Sequence, residues 1–216
     1  PRWRPPWVSA YALEDRCHLN GLAVVDGRPR YVTALGMTDT RDGWRENKNA
    51  GGILYDIVRG KVLVDGLSMP HSPRWYLGKV WFLESGYGAL SWYDPETTQT
   101  GRLVQMPGFT RGLDFVDRYA LVGLSQVRET NTFEGIPITA DGSERRSGVW
   151  VIDLKTGETV ALLRFSDAVE EIFAVKALPG LMFPSLLEPG HPLIGTSYVL
   201  PDEALREVAQ PPAEDR

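Results

Sequence analysis

An all-β fold, a β-propeller of four-stranded blades, is predicted by three observations. First, one phrase recurs three times: a short apolar run ending in aspartate, a turn, and a second apolar run. It stands at Ile53 to Val64 (ILYDIVRGKVLV), Leu90 to Met106 (LSWYDPETTQTGRLVQM) and Val149 to Leu163 (VWVIDLKTGETVALL). Second, two further strand-like stretches precede each copy, so the repeating unit holds four strands. Third, the period fits: 38 residues separate Asp56 from Asp94 and 59 separate Asp94 from Asp153. Blades run roughly 40 to 50 residues, so the longer step is one blade with an insertion.

The elements follow in order. Cys17 to Val25 turns at Asp26-Gly27 into Tyr31 to Leu35, and Ile53 to Val64 completes the first blade. His71 to Tyr76 turns at Leu77-Gly78 into Val80 to Leu83, ahead of the second hairpin. Thr110 to Phe115 turns at Asp117-Arg118 into Tyr119 to Val122, ahead of the third. These stretches are β-branched and aromatic and are punctuated by Gly, Asp and Asn, which supply turn geometry. Between the strands of the third blade, Gln126 to Ser147 is polar and rich in turn formers, a loop. A fourth copy is expected to begin at Glu171 to Val175 and to continue toward Phe183. Helical periodicity arises only in Pro201 to Gln210, before a tail expected to be disordered. The division expected is a partial propeller over residues 1–200 and a short helix with tail over 201–216.

Three blades and part of a fourth fall short of the 4 to 8 of a closed ring. An open arc leaves end strands and blade faces uncovered. The chain therefore reads as an N-terminally truncated piece of a ring of about six or seven blades, with a second subunit completing the ring as the other explanation.

Composition bounds the function. At 216 residues and 43% hydrophobic, the chain supports one sizeable core. With 23 basic against 28 acidic residues it carries no basic stripe for a phosphate backbone, so nucleic acid is not an expected partner. No apolar run approaches the roughly 20 residues that cross a bilayer. One cysteine, Cys17, permits no internal disulfide and fits a reducing, cytoplasmic compartment. By the two-residue period Cys17 points away from His18 and reads as a packed thiol.

In a propeller the first strand of each blade lines the central channel, so its residues converge from several blades. The repeat alignment pairs His18 with His71, 53 residues apart, and sets Asn20, Arg111 and Glu171 slightly further in. Three readings of this set stay open. His18, His71 and the Glu171 carboxylate can hold zinc or another divalent cation that activates water. Without metal, a histidine can exchange a proton while Arg111 stabilises negative charge, with Glu171 as the other candidate catalytic group. Or the groups simply hydrogen-bond one another and buried water.

Asn20, Arg74 and Trp44 are the candidate ligand-binding residues. Trp44 lies in a long polar loop and either caps a ligand or anchors the loop. Asp15 either orients the His18 imidazole or pairs locally with Arg16. Trp75, Trp81, Trp92 and Trp150 read as packing between blades. His191 reads as an exposed loop residue. Ser85 and Ser125 show no base beside them, and Gly-x-Ser-x-Gly, phosphate-loop, Cys-x-x-Cys and His-Glu-x-x-His motifs are absent.

Several strings also resemble a family. Glu14-Asp15-Arg16-Cys17-His18-Leu19-Asn20-Gly21, Gly66-Leu67-Ser68-Met69-Pro70-His71-Ser72-Pro73-Arg74-Trp75 and Pro107-Gly108-Phe109-Thr110-Arg111-Gly112-Leu113 are similar to a bacterial family of conserved hypothetical proteins, the domain-of-unknown-function 4915 group. The resemblance covers most of the chain. It implies further residues before Pro1, including another histidine-bearing segment, and transfers no activity and no functional residue. The leading expectation is small-molecule binding at the channel mouth, with metal-assisted hydrolase or lyase chemistry as its catalytic form. The alternative is a non-catalytic scaffold whose rim and Gln126 to Ser147 loop bind a protein partner.

Overall fold

The repeated aspartates are turn formers. Asp56 Oδ1 accepts the backbone N–H groups of Val58 and Arg59, Asp94 Oδ1 those of Glu96 and Thr97, and Asp153 Oδ1 that of Lys155. An aspartate that bonds the backbone two and three residues on reproduces a turn by itself, which is why the phrase recurs at the same place in each hairpin. A cation from the preceding hairpin then joins each one: Arg30 at 3.6 Å from Asp56, Lys79 at 3.6 Å from Asp94 and Arg118 at 2.9 Å from Asp153.

The computed structural model describes residues 3–126, 135–140, 145–166, 169–196 and 203. Strands β1 (Leu19–Val25), β2 (Arg28–Ala34), β3 (Gly52–Asp56) and β4 (Lys61–Leu67) form the first antiparallel sheet, paired in that order. β5 (Pro70–Tyr76), β6 (Lys79–Glu84), β7 (Ala89–Tyr93) and β8 (Thr100–Gln105) form the second. β9 (Phe109–Val116), β10 (Tyr119–Ser125), β11 (Gly148–Asp153) and β12 (Thr159–Arg164) form the third. The first strand of each sheet lies beside the first strand of the next, β1 with β5 and β5 with β9, so the sheets radiate as propeller blades from a hub built of first strands.

Strand β6 (KVWFLE) shows why the runs are apolar without alternation. Val80 and Phe82 pack with Ala23, Tyr31 and Leu54 of the first blade, while Trp81 and Leu83 pack with Leu113, Val122 and Trp150 of the third. A central blade is buried on both faces, so the two-residue period sends alternate side chains to different neighbours rather than to core and solvent. Trp81 and Trp150 sit in the interface with the third blade, Trp92 packs against it, and Trp75 packs against the interface with the first blade, as predicted. The open face of the first blade is covered by Trp3 and Trp7, whose rings meet Tyr55 at 6.0 and 5.2 Å. By contrast every residue of β12 is exposed.

Blades approach closely where side chains are absent. A Cβ on Gly21 would lie 2.2 Å from Pro73 Cδ and 2.6 Å from Thr33 Oγ1. The proline ring cannot swing away, so Gly21→Ala is expected to lower stability by about 1–3 kcal/mol, the usual cost of overpacking. Gly27→Ala meets open space and bears only the strain of its positive φ of 73°. Urea melts followed by circular dichroism compare the two; equal losses would contradict the close approach of β1 and β5.

Two expectations meet a different structure. The segment 171–175 forms no strand; it lies as irregular chain against β9 and β10 of the third blade. Gln126 N–H donates to Glu170 O, Ile172 N–H donates to Ser125 Oγ, and Lys176 pairs with Asp114 at 2.9 Å. Gly112, with φ of 83°, admits this chain, since a Cβ there would lie 2.7 Å from Val175 N. The insertion is not only a polar rim: its middle, Ile136 to Thr139, turns inward, and Ile136 is fully buried. The chain divides into two compact units, Pro1–Ala177 and Leu178–Arg216. Within the second, the helix found is α1 (Pro192–Thr196), and His191 just before it is exposed. The helix expected over 201–210 lies, Glu203 apart, outside the described residues. Among the described residues no helix is long and apolar enough to cross a membrane.

Candidate functional site

The hub register follows from the first hairpin turn of each blade, where Asp26, Leu77 and Asp117 all take φ of 48–49°. Six residues before each turn residue stand Asn20, His71 and Arg111; eight before stand His18, Met69 and Phe109. This corrects the repeat alignment of His18 with His71. The structural counterpart of His71 is Asn20, and that of His18 is Met69, which shares its φ of 48°. Each first strand pairs irregularly here, between Leu19 and Gly21 in β1, between His71 and Arg74 in β5, and opposite Val122 and Leu124 in β9. A bulge re-aims side chains, so distance along the text does not reveal which residues face the hub.

Although out of step, His18 and His71 border the same cavity, of about 180 Å³. Arg111 and Arg45 supply its cations, and Leu35, Trp44, Met69 and Phe109 its apolar wall. Ile136 and Ile138 of the insertion back this wall, packed with all four apolar residues. The sequence reading missed Leu35, Arg45, Met69, Phe109 and the two isoleucines. The one signal for the last was the apolar pair around Pro137 in a run otherwise mostly polar.

His71 is 5% exposed, and its Nδ1 lies 2.9 Å from both Met69 O and Ser85 Oγ. The Ser85 hydroxyl donates its hydrogen to Thr110 O at 2.6 Å. Its oxygen and the Met69 carbonyl therefore act as acceptors, which places the imidazole hydrogen on Nδ1 and leaves the Nε2 lone pair for the cavity. Burial first and the charge of Arg111 second pull the His71 pKa down to about 3, partly opposed by the hydrogen bond to Met69 O, with a lesser lowering from His18. His71 is thus neutral across the physiological range. Ser85, expected to lack a basic neighbour, has one, but its full burial and the direction of its hydrogen bond make it a bracket for His71 rather than a nucleophile.

His18 is braced in a parallel way. Its Nδ1 lies 2.7 Å from Asp15 Oδ2, which also accepts the Trp44 indole N–H at 2.9 Å. The imidazole and indole rings lie 4.9 Å apart. Of the two readings for Asp15, orientation of the imidazole is the one seen, while Arg16 turns to Glu14 and Asp39. Trp44 serves as buried wall, its ring covered by Arg45 at 4.4 Å. Cys17 is a buried free thiol whose pKa burial pushes up.

The remaining candidates lie elsewhere. Asn20 is a strut between blades: its Nδ2 donates to Pro70 O at 2.9 Å, and its Oδ1 accepts from Thr33 Oγ1 at 2.7 Å. Arg74 donates to Pro73 O. Neither lines the cavity. Glu171 is exposed, does not line it either, and reaches Arg111 only through charge. Among the described residues no group of three or more His, Cys, Asp and Glu side chains is placed to hold a metal ion. Glu171 therefore does not join the two imidazoles as a third ligand.

The sequence profile described as "Domain of unknown function (DUF4915)" matches residues 1–187. None of the curated proteins matches. Among solved structures, the computationally designed Ika8 protein is similar at 18% identity and a TM-score of 0.43, over 74% of this chain and 40% of that one. The computationally designed Ika4 protein is similar at 15% identity and 0.45, over 79% of this chain and 84% of that one.

Proposed function

The chain belongs to the DUF4915 family, a domain of unknown function, and we propose from its hub cavity that it binds a small molecule there. The supporting observation is the pair of imidazoles whose Nδ1 atoms are both engaged by protein acceptors at a cavity walled by Leu35, Trp44, Met69 and Phe109 and flanked by two arginines. A largely apolar pocket with a few oriented polar groups is the usual form of a ligand site. Its volume lies below the roughly 300 Å³ at which drug-sized ligands begin, so the occupant is a small compound. With its low pKa, His71 serves as a hydrogen-bond acceptor rather than as a proton shuttle, because efficient general bases titrate near the working pH.

A divalent cation on the two Nε2 atoms is the competing occupant. The braced imidazoles favour it. Arg111 weighs against it, since the positive charge that already depresses His71 would oppose a second cation in the same space.

Titration with a fragment library, followed by nuclear magnetic resonance of the Trp44 indole and the two imidazoles, tests the proposal. Bound fragments are expected to shift all three sets of signals, and zinc at micromolar concentration to leave them in place. A folded protein in which no fragment moves these signals would sink the binding reading and leave the scaffold. Zinc bound in a one-to-one ratio and lost in both His18→Ala and His71→Ala would replace the small molecule with a metal.

A further inference from the structure

Among the described residues, Arg111 is the cation of the hub cavity with no anion paired to it. Among the described residues no carboxylate lies within ion-pair distance of its guanidinium, which lies over the Phe173 ring, 4.4 Å away. Glu171 influences Arg111 only through charge, and Asp15, beside the cavity, is engaged by His18 and Trp44. Among the described residues no aspartate or glutamate lines the cavity. A half-buried guanidinium presents a planar fork of N–H donors and accepts nothing, so it calls for a carboxylate or a similar oxyanion. Beside it His71 Nε2 offers the opposite, a neutral lone pair that calls for a hydrogen. Apart from Arg45 and His18, the rest of the lining is apolar: Trp44, Met69, Phe109 and Leu35.

We infer that the ligand is a small organic acid with one ring-sized apolar group and a hydroxyl or amine next to its carboxylate. The carboxylate sits on Arg111, the neighbouring O–H or N–H donates to His71 Nε2, and the apolar group lies against Trp44 and Phe109. This rests on the proposed function above. The volume agrees: a cavity of about 150 Å³ holds a benzene ring, and about 180 Å³ leaves room for a short polar group. The apolar wall disfavours inorganic phosphate, which would leave most of that surface in contact with nothing but water.

Four probes separate these statements in calorimetric titration of the intact chain: mandelate, phenylacetate, benzyl alcohol and inorganic phosphate. Mandelate carries the ring, carboxylate and hydroxyl; phenylacetate lacks the hydroxyl; benzyl alcohol lacks the carboxylate; phosphate lacks the ring. Mandelate is expected to bind tightest. Losing the carboxylate should weaken binding about ten- to a hundredfold, as expected for charge-assisted hydrogen bonds, and losing the hydroxyl about three- to tenfold. In Arg111→Met, which removes the guanidinium and keeps an unbranched side chain, mandelate should fall to the affinity of benzyl alcohol. Benzyl alcohol binding as well as mandelate in the native chain would overturn the acid while leaving the cavity a binding site. Phosphate binding as well as mandelate would overturn the apolar group. If none of the four binds, yet fragments still shift the Trp44 indole, the organic acid is wrong and the small-molecule site stands.

Discussion

Between pH 6.5 and 3 the fold is expected to lose up to ~5 kcal/mol through His71 alone. The histidine is held near 3 in the folded chain, against an ordinary value of 6.5. The unfolded chain therefore takes up the proton first as the pH falls. The stabilisation is fully present above 6.5 and is lost progressively down to 3, at a slope of no more than about 1.4 kcal/mol per pH unit. His71→Gln removes the titration while its amide N–H groups can still reach Met69 O and Ser85 Oγ. Urea unfolding at intervals from pH 7 to 4.5, above most carboxylate titration, should give a steep native curve and a flat variant curve. Parallel curves would show that His71 is not buried beside Arg111. The measurement bears on function as well as stability, because an imidazole neutral at pH 5 acts as an acceptor toward ligand throughout the physiological range.

Phe82→Ala is expected to cost about 3–5 kcal/mol, the range for emptying an aromatic site in a packed core. Phe82 is fully buried, and it meets Tyr31 and Leu54 of the neighbouring blade as well as Tyr93 of its own. The cavity left behind has rigid sheet on both sides, so it cannot collapse as a site under a loop would. Leu162→Ala on the fully exposed β12 is the comparison, expected within about 0.5 kcal/mol of the native chain. Chemical denaturation of both variants decides the matter. A loss below about 1 kcal/mol in Phe82→Ala would mean that the first two blades do not share a packed interface. The hub would then lose its geometry, since the cavity is assembled from first strands of successive blades.

The blades were legible because their signals are local. An Asp56 or Asp94 side chain that bonds its own turn needs nothing distant, and the apolar run of β6 reports burial on both faces wherever it is found. Individual hub residues were legible by type: His18, His71, Arg111 and Trp44 all border the cavity. Their partners were not. Ser85 reaches His71 across the β5–β6 pairing, and Asp15 reaches Trp44 through a loop, so neither contact leaves a pattern in nearby residues. Glu171 was placed at the hub by repeat phase, yet the chain there forms no strand and Glu171 is exposed, outside the cavity lining.

The sequence by itself determined a blade: four strands, an aspartate-capped hairpin and faces meant for neighbours, because each of these is decided within a few residues. Only the tertiary structure decided which side chains share the hub. One-residue bulges in the first strands shift the register by half a side-chain period, and a shift of that size sends a residue to the opposite face. A periodicity argument cannot see where the period slips, but three strands side by side, each counted back from the same turn, make it plain.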